Sequence, residues 1–598
     1  MNHSVAGVWH PLADSAWQPS GNLKLRYMLN RRYMISLETD RLLLNHEVLA
    51  GIVHRMDADA RDYGGWESAN CQLRGHFAGH YLSACAMAFA YHGDAVLRAR
   101  GEEMVERLYL CQQEHGDGWC FSIPQTYLHW LERAKPVWAP QYTVHKTIMG
   151  LLDMAVLAGS RRALEILDGI AGWFWRWVDT KSRAEMDNIL DVETGGMLEA
   201  WADLYAVTGD ARCLRLIEQY RRPRIFEELL KGRDVLTLMH ANTTLVEALG
   251  YARVYEVLGH ARDLEVVKAY WDSAIATRGA FATGGQTCNE VWTPPHCQSA
   301  FLGRDNQEHC VMYNLIRLAD FLWRHTGRTE YLEYIGRAYT NGILAQQHED
   351  TGMVAYYLPM HTGASVQWGS ERGHFWCCHG TLVQIHQCEG RYMAYHRNGE
   401  VLIAQYHEAD IGLDDGGRIT LRQNKTESHY APFAYNAGCS FGKTVGQEYT
   451  LELSLSQSRR FTLSLRIPAW ISGHAEIILG NETLSATRGT VLSLDRIWKE
   501  HSLIRLRFPR RPTVEALPDQ PQRGALMLGE DVLVGLTGDD CLQLTQEQAC
   551  DRLEMITPDA MRCEQPRYRL YDGHRSIVFI PLQNLRGETY TMYFAFQD

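Results

Sequence analysis

Two cysteines stand side by side in the segment HFWCCHGT, Cys377 and Cys378. Adjacent cysteines rarely bridge each other, and a free thiol is often just a small core hydrophobe. This pair, however, sits where helical sequence gives way to β sequence, between aromatics and a Gly-Thr turn, which makes poor core. A second set lies upstream in GRDNQEHCVMYNLIRLADFLW, where Glu308 and Cys310 flank His309. Asp305 or Asn306 is placed to cap the helix that follows. Residues two apart on a regular helix face different ways, so Glu308 and Cys310 converge only from a loop or a first turn. Three sulfurs and one carboxylate oxygen suit tetrahedral zinc. The spacing matches no familiar Cys-x-x-Cys pattern, and core packing is the rival reading of each thiol.

Glu290 lies in ATGGQTCNEVWTPP, a Gly-, Thr- and Pro-rich loop. Desolvation by Val291 and Trp292 would raise its carboxyl toward a general acid's range, whereas a solvated loop glutamate is the bland alternative. His76, His80, His145 and His240 each open or precede an apolar helix, in RGHFAGHYL, YTVHKT and LMHANTT. Helix starts in a toroid line its cleft, so contacts to sugar hydroxyls are one role; capping or core packing is the other. The Gly-Gly-Gln at 284–286 is no phosphate loop, because no strand precedes it and no Lys-Ser/Thr follows. The 17 tryptophans and 29 tyrosines suit stacking on sugar rings, although most must be core.

The elements that must position these residues change period once along the chain. HYLSACAMAFAYHG, HKTIMGLLDMAVLAG and LVEALGYARVYEVLG carry apolar residues at three- and four-residue spacing, which predicts helices. Gly93, Gly159, Gly209, Gly259 and Gly327 each follow an apolar helix end and precede a new helix. Glycine suits the left-handed position that closes a helix, and Asp94, Ser160 or Asp210 can cap the next. Five helical hairpins are marked in this way, and residues 22–55 supply material for a sixth. Six pairs closing on themselves form an (α/α)6 barrel; an open solenoid is the alternative.

After about residue 395, segments such as EYTLELSLS and RFTLSLRIPAW alternate apolar and polar. The expected fold is therefore multidomain α + β, an (α/α)6 barrel followed by C-terminal β-sandwich modules. The expected division is an N-terminal segment 1–14 packing on the β region, a barrel at 15–393, and β-sandwiches at 394–512 and 513–598. The 598 residues are ample for several cores. Charged residues at 22% and hydrophobic residues at 46% exclude a disordered or collagen-like chain. A net charge of -12 with no basic tract argues against nucleic acid or an acidic membrane surface as partner. The start, MNHSVAGVWHPLADSAWQ, has neither a basic n-region nor an apolar h-region, and no apolar run approaches membrane-spanning length. A cytoplasmic protein is the expectation. β modules often pair, which admits a homodimer.

Taken in order, RGHFAGHYLSA, YTVHKTIMGLLD, ETGGMLEAWADLYAVTGD, HANTTLVEALGYA, TGGQTCNE, the Glu-x-Cys before YNLIRLADFLW, RAYTNGILAQQHEDTGMVAYYLPM and FWCCHGT resemble the β-L-arabinofuranosidases of glycoside hydrolase family 127 and the related family 146. The resemblance is dense over about 60–390 and covers the β region by architecture alone. It implies a retaining exo-glycosidase acting on small oligosaccharides or glycosides, with a zinc-bound cysteine nucleophile. Carried over by motif, Cys377 is the nucleophile and Glu290 the acid/base. Glu308, Cys310, Cys377 and Cys378 are the zinc ligands. His145 and His240 hold the sugar, with Tyr356 of VAYYLPM and His80 as further substrate contacts. Two departures from the family pattern, the Asn-Glu of CNEVW and the histidine after the cysteine pair, are expected to touch the cleft.

The rival functions are a metal-free epimerase or uronyl hydrolase on the same barrel, and a glycan-binding protein with a structural zinc. The odd count of 15 cysteines fits thiols kept for other work than disulfides. Three have the task proposed above. Cys288, beside the proposed acid, and Cys297 are expected near the cleft without a role, while Cys388, Cys439, Cys541 and the rest read as core or surface filler.

Overall fold

The computed structural model describes residues 7–52, 63–414, 416–424, 445–556 and 565–597; Cys439 lies outside them. Its first two-thirds form a closed ring of six inner helices, His76–His92, Pro140–Val156, Met197–Thr208, Ala241–Leu258, His309–Thr326 and Cys377–Ile385. Each packs on the next, and Cys377–Ile385 returns to His76–His92. Outer helices Ala95–His115, Arg161–Asp179, Ala211–Tyr220, Ala261–Trp271 and Glu330–Ala338 run back between them. This is the (α/α)6 barrel expected.

The glycine punctuation closes the inner helices. Gly93, Gly209, Gly259 and Gly327 take the left-handed C-cap, with φ of 67, 69, 74 and 69°, where any Cβ is penalised. Asp94 and Asp210 then accept backbone N–H bonds at the start of the next helix. Ser160 does not cap; its hydroxyl donates to Glu102 at 2.8 Å. The sixth pair is not a local hairpin. The outer helix Gly21–Ser36 lies on the inner helix Cys377–Ile385, and Asn30 Nδ2 donates to the Val383 carbonyl at 3.1 Å. The beginning of the chain therefore closes the ring around the cysteine pair.

Three sheets follow. A five-stranded sheet contains His10–Pro11, Ala394–Arg397, Glu400–Ile403, Arg459–Ile467 and Thr490–Trp498. A seven-stranded sheet runs from Glu482–Thr487 to Ala409–Gly412 and ends on Trp17–Pro19. Their buried leucines and isoleucines share one core with the barrel. The last sheet, Pro512–Leu517 through Tyr593–Ala595, lies with one face against Phe281, Ala355 and Met360 of the barrel loops. The helix Gln546–Arg552 contributes Ala549 to the core on its other face. No helix among the described residues is long and apolar enough to cross a membrane.

Candidate active site

All six inner helices begin at the same end of the barrel, so the positive ends of six helix dipoles converge there and favour negative charge. Glu308 is the N-cap of His309–Thr326, with Cys310 in its first turn, and Cys377 and Cys378 open Cys377–Ile385. Neither Asp305 nor Asn306 caps that helix: the Asp305 carbonyl accepts from Asn289 N and the Asn306 side chain accepts from Gly303 N. One ligand atom from each of Glu308, Cys310, Cys377 and Cys378 lies within 4.8 Å of all the others, and all four residues are buried. Cys377 Sγ is 3.6 Å from Glu308 Oε1 and 3.8 Å from Cys378 Sγ, while Cys310 Sγ is 3.6 Å from Cys378 Sγ.

This donor set fits a soft divalent cation. Glu308 Oε2 is buried with no hydrogen-bond partner, a costly arrangement unless a charge answers it. Burial pushes the Cys377 and Cys378 thiols and the Glu308 carboxyl well above their usual ranges. Burial also pushes Cys310 up, but hydrogen bonds from Cys377, Cys378 and Thr381 outweigh it and bring the thiol down to about 7. Three sulfurs and a carboxylate match the preference of zinc.

Glu290 stands opposite. It is the second residue of a two-residue hairpin joining Thr287–Cys288 to Val291–Trp292. Asn289 and Glu290 both have positive φ, 51° and 63°, the pair of values a tight primed turn requires. Asparagine tolerates that region; glutamate in the place of glycine costs about 1–3 kcal/mol. The hairpin is fixed where the Glu290 carbonyl accepts from Ala241 N at 2.7 Å and Trp292 Nε1 donates to Thr244 at 3.1 Å. It is thereby docked on the start of Ala241–Leu258, whose N-cap is His240.

The Glu290 carboxylate accepts from the hydroxyls of Tyr356 and of Tyr357, the latter at 2.8 Å, and lies 3.3 Å from His240 Nε2. This corrects the expected acidity. Burial does push the carboxyl up, but the three donors outweigh it and hold it at about 2; Trp292 is core, packed toward Tyr270. Burial pushes the His240 imidazolium down, yet its bond to Glu290 and the charges of Glu193, Glu290 and Cys377 leave it raised. Tyr356 also reaches the sulfur: Cys377 Sγ is 3.4 Å from its hydroxyl.

His145 and His80 line the cavity of about 990 Å³ that runs down the barrel from Cys377. His145 presses on Gly195 and Gly196, where an added Cβ would lie 2.8 Å from Nε2, and its Nδ1 has no partner. His80 Nδ1 meets Gln384 Oε1 at 2.7 Å. Burial holds both well below their usual value and neutral. His76 is tied to the Phe375 carbonyl at 2.8 Å and to Tyr142 at 3.1 Å, just ahead of the cysteine pair. The histidine after that pair, His379, does not touch the cleft. It is buried, with Nδ1 accepting from Trp376 N at 3.2 Å and Nε2 facing the Ser370 carbonyl at 3.1 Å. Among the described residues every cysteine is free.

Sequence reasoning passed over four residues here. Tyr357 doubles the hydroxyl on Glu290, a role signalled only by the repeated tyrosine. Lys146 is buried with its ammonium 4.7 Å from the centre of the Tyr142 ring. Glu193, in the ETGG turn, stands near His240 and Lys146. Burial pushes its carboxyl up, although the charges of His240 and Lys146 oppose this. Trp138, in the Pro-flanked KPVWAP, is exposed at the rim.

Two family models match the chain. The model of the β-L-arabinofuranosidase GH127 catalytic domain covers residues 17–390, and that of the GH127 middle domain covers 400–510. No curated protein is similar in sequence at a significant level. Among solved structures, a GH127 β-arabinofuranosidase superposes with a TM-score of 0.73 at 16% identity, over 99% of this chain and 98% of the other. A GH127 β-L-arabinofuranosidase from Geobacillus stearothermophilus T6 gives 0.70 at 17% identity, over 97% and 100%. At such identities these likenesses establish the fold alone.

Proposed function

The chain belongs to the β-L-arabinofuranosidase family GH127 and is a glycoside hydrolase, and from that premise we propose that it is a retaining exo-enzyme removing β-L-arabinofuranosyl residues from plant-derived glycans, with Cys377 as nucleophile and Glu290 as acid/base. One observation carries the reading: a single phenol, Tyr356, touches both groups. The two contacts in series keep Cys377 Sγ within about 6 Å of a Glu290 oxygen, close to the separation of paired groups in retaining glycosidases and too short for an intervening water.

Glu308, Cys310, Cys377 and Cys378 would hold zinc, which deprotonates its thiol ligands at neutral pH. Cys377 Sγ attacks the anomeric carbon, and the bond to the leaving oxygen breaks as that oxygen takes a proton from Glu290. His240 and Glu290 share the proton that is needed, since His240 is raised while Glu290 is held ionised. Glu290, again a carboxylate, then takes a proton from water as water displaces the sulfur, and two inversions give net retention. Tyr356 donates to Glu290 and lies against the Cys377 sulfur, which keeps nucleophile and carboxylate in register.

Nitrophenyl furanosides and pyranosides test the reading. β-L-Arabinofuranoside should be cleaved fastest; cleavage of no member would favour a glycan-binding role with a structural metal.

A further inference from the structure

The proposed nucleophile and the partner of the proposed acid/base open onto different cavities. Cys377, Tyr142 and His145 line the deep cavity down the barrel axis. His240, 3.3 Å from Glu290, instead lines a second cavity of about 370 Å³, together with Trp138, Ala139, Glu193 and Arg222. In a retaining glycosidase the leaving group departs on the side of the acid, away from the nucleophile. We propose that this second cavity is the leaving-group subsite and takes a second sugar ring, with Trp138 as its stacking platform and Glu193 as an acceptor for its hydroxyls. The assignment rests on the functional reading above.

Its walls suit a sugar. Of the 17 tryptophans only Trp138 and Trp175 are exposed, Trp138 at 46%. An indole left in water at a cavity rim offers a flat apolar face to the C–H side of a sugar ring. Trp138 is also held in place: its backbone N–H donates to Gln72 Oε1 at 2.7 Å, and its ring meets Trp66 edge-on at 5.1 Å. Trp66 in turn lies 6.3 Å from Tyr356, so the platform is braced against the tyrosine that binds Glu290. Arg222 is already committed to Glu247 at 3.2 Å and Asp191 at 2.9 Å. Glu193, by contrast, is half-buried and meets no hydrogen-bond or ion-pair partner among the described residues. A carboxylate in that position is ready to accept bonds from hydroxyls.

The test compares the methyl β-L-arabinofuranoside, which has no ring in this cavity, with a β-L-arabinofuranosyl disaccharide. For Trp138→Ala, kcat/KM on the disaccharide should fall at least about tenfold more than on the methyl glycoside, and Trp138→Phe should restore most of the difference. Glu193→Gln should lower the same ratio. Equal changes on both substrates, or none, overturn the assignment while leaving the functional reading intact. Loss confined to nitrophenyl glycosides, with the disaccharide unaffected, overturns a sugar as occupant. A wild-type enzyme that cleaves neither glycoside overturns the functional reading, and the assignment with it.

Discussion

His240 Nε2 lies 3.3 Å from Oε2 of Glu290, and each shifts the other's acidity. The imidazole is raised and the carboxyl lowered, so below the imidazole's value the pair carries one shared proton. The proton is lost as pH rises through the raised value of His240. Activity should therefore fall on the alkaline side, and His240→Gln should move that limb to lower pH. A kcat/KM profile unchanged in shape would exclude His240 as the proton's partner. The same shifts bear on stability: the His240 contribution is lost as pH rises through its folded value, and the Glu290 contribution as pH falls toward about 2.

The two tyrosines separate by what each touches. Tyr357→Phe removes one donor from Glu290, so the carboxyl should rise from about 2 and the acid limb of the pH profile should move up. Tyr356→Phe should shift that limb too, and also lower kcat by about tenfold to a hundredfold, because the same hydroxyl orients the Cys377 sulfur. Identical behaviour of the two variants would contradict the bridging role.

Metal content is checked by elemental analysis of the purified protein, with about one zinc per chain expected. Glu308→Ala should lose the metal and, with it, the midpoint of thermal unfolding should drop. A Glu308→Ala protein that retains zinc and full stability would place the metal elsewhere.

A glycine in the cysteine helix gives a stability test. A Cβ on Gly380 would lie 2.2 Å from His80 Cδ2, a clash against a buried ring that is itself bonded to Gln384. Gly380→Ala should cost about 1–3 kcal/mol or more and displace the cysteine pair; denaturant unfolding beside activity measures both.

The barrel was legible because its punctuation is local: a glycine closing one helix and an aspartate capping the next lie within two residues. The sixth pair was not, because its inner helix, Cys377–Ile385, has only nine residues and its partner begins at Gly21. The metal-ligand types stood out in the sequence, but their convergence depends on two helix starts some seventy residues apart. Least legible was the acidity of Glu290. Its neighbours in sequence suggest desolvation, whereas the donors that hold it ionised come from residues 240, 356 and 357. Trp138 gave no signal beyond its prolines, since exposure is decided by the fold.

The central claim is a covalent bond between Cys377 and the sugar. Glu290→Gln, given an arabinofuranoside whose leaving group needs no proton, should form the intermediate and hydrolyse it slowly. Peptide mass spectrometry of the quenched reaction should then find one pentosyl unit on Cys377. Rapid leaving-group release with no adduct, or an adduct on another residue, would contradict the account.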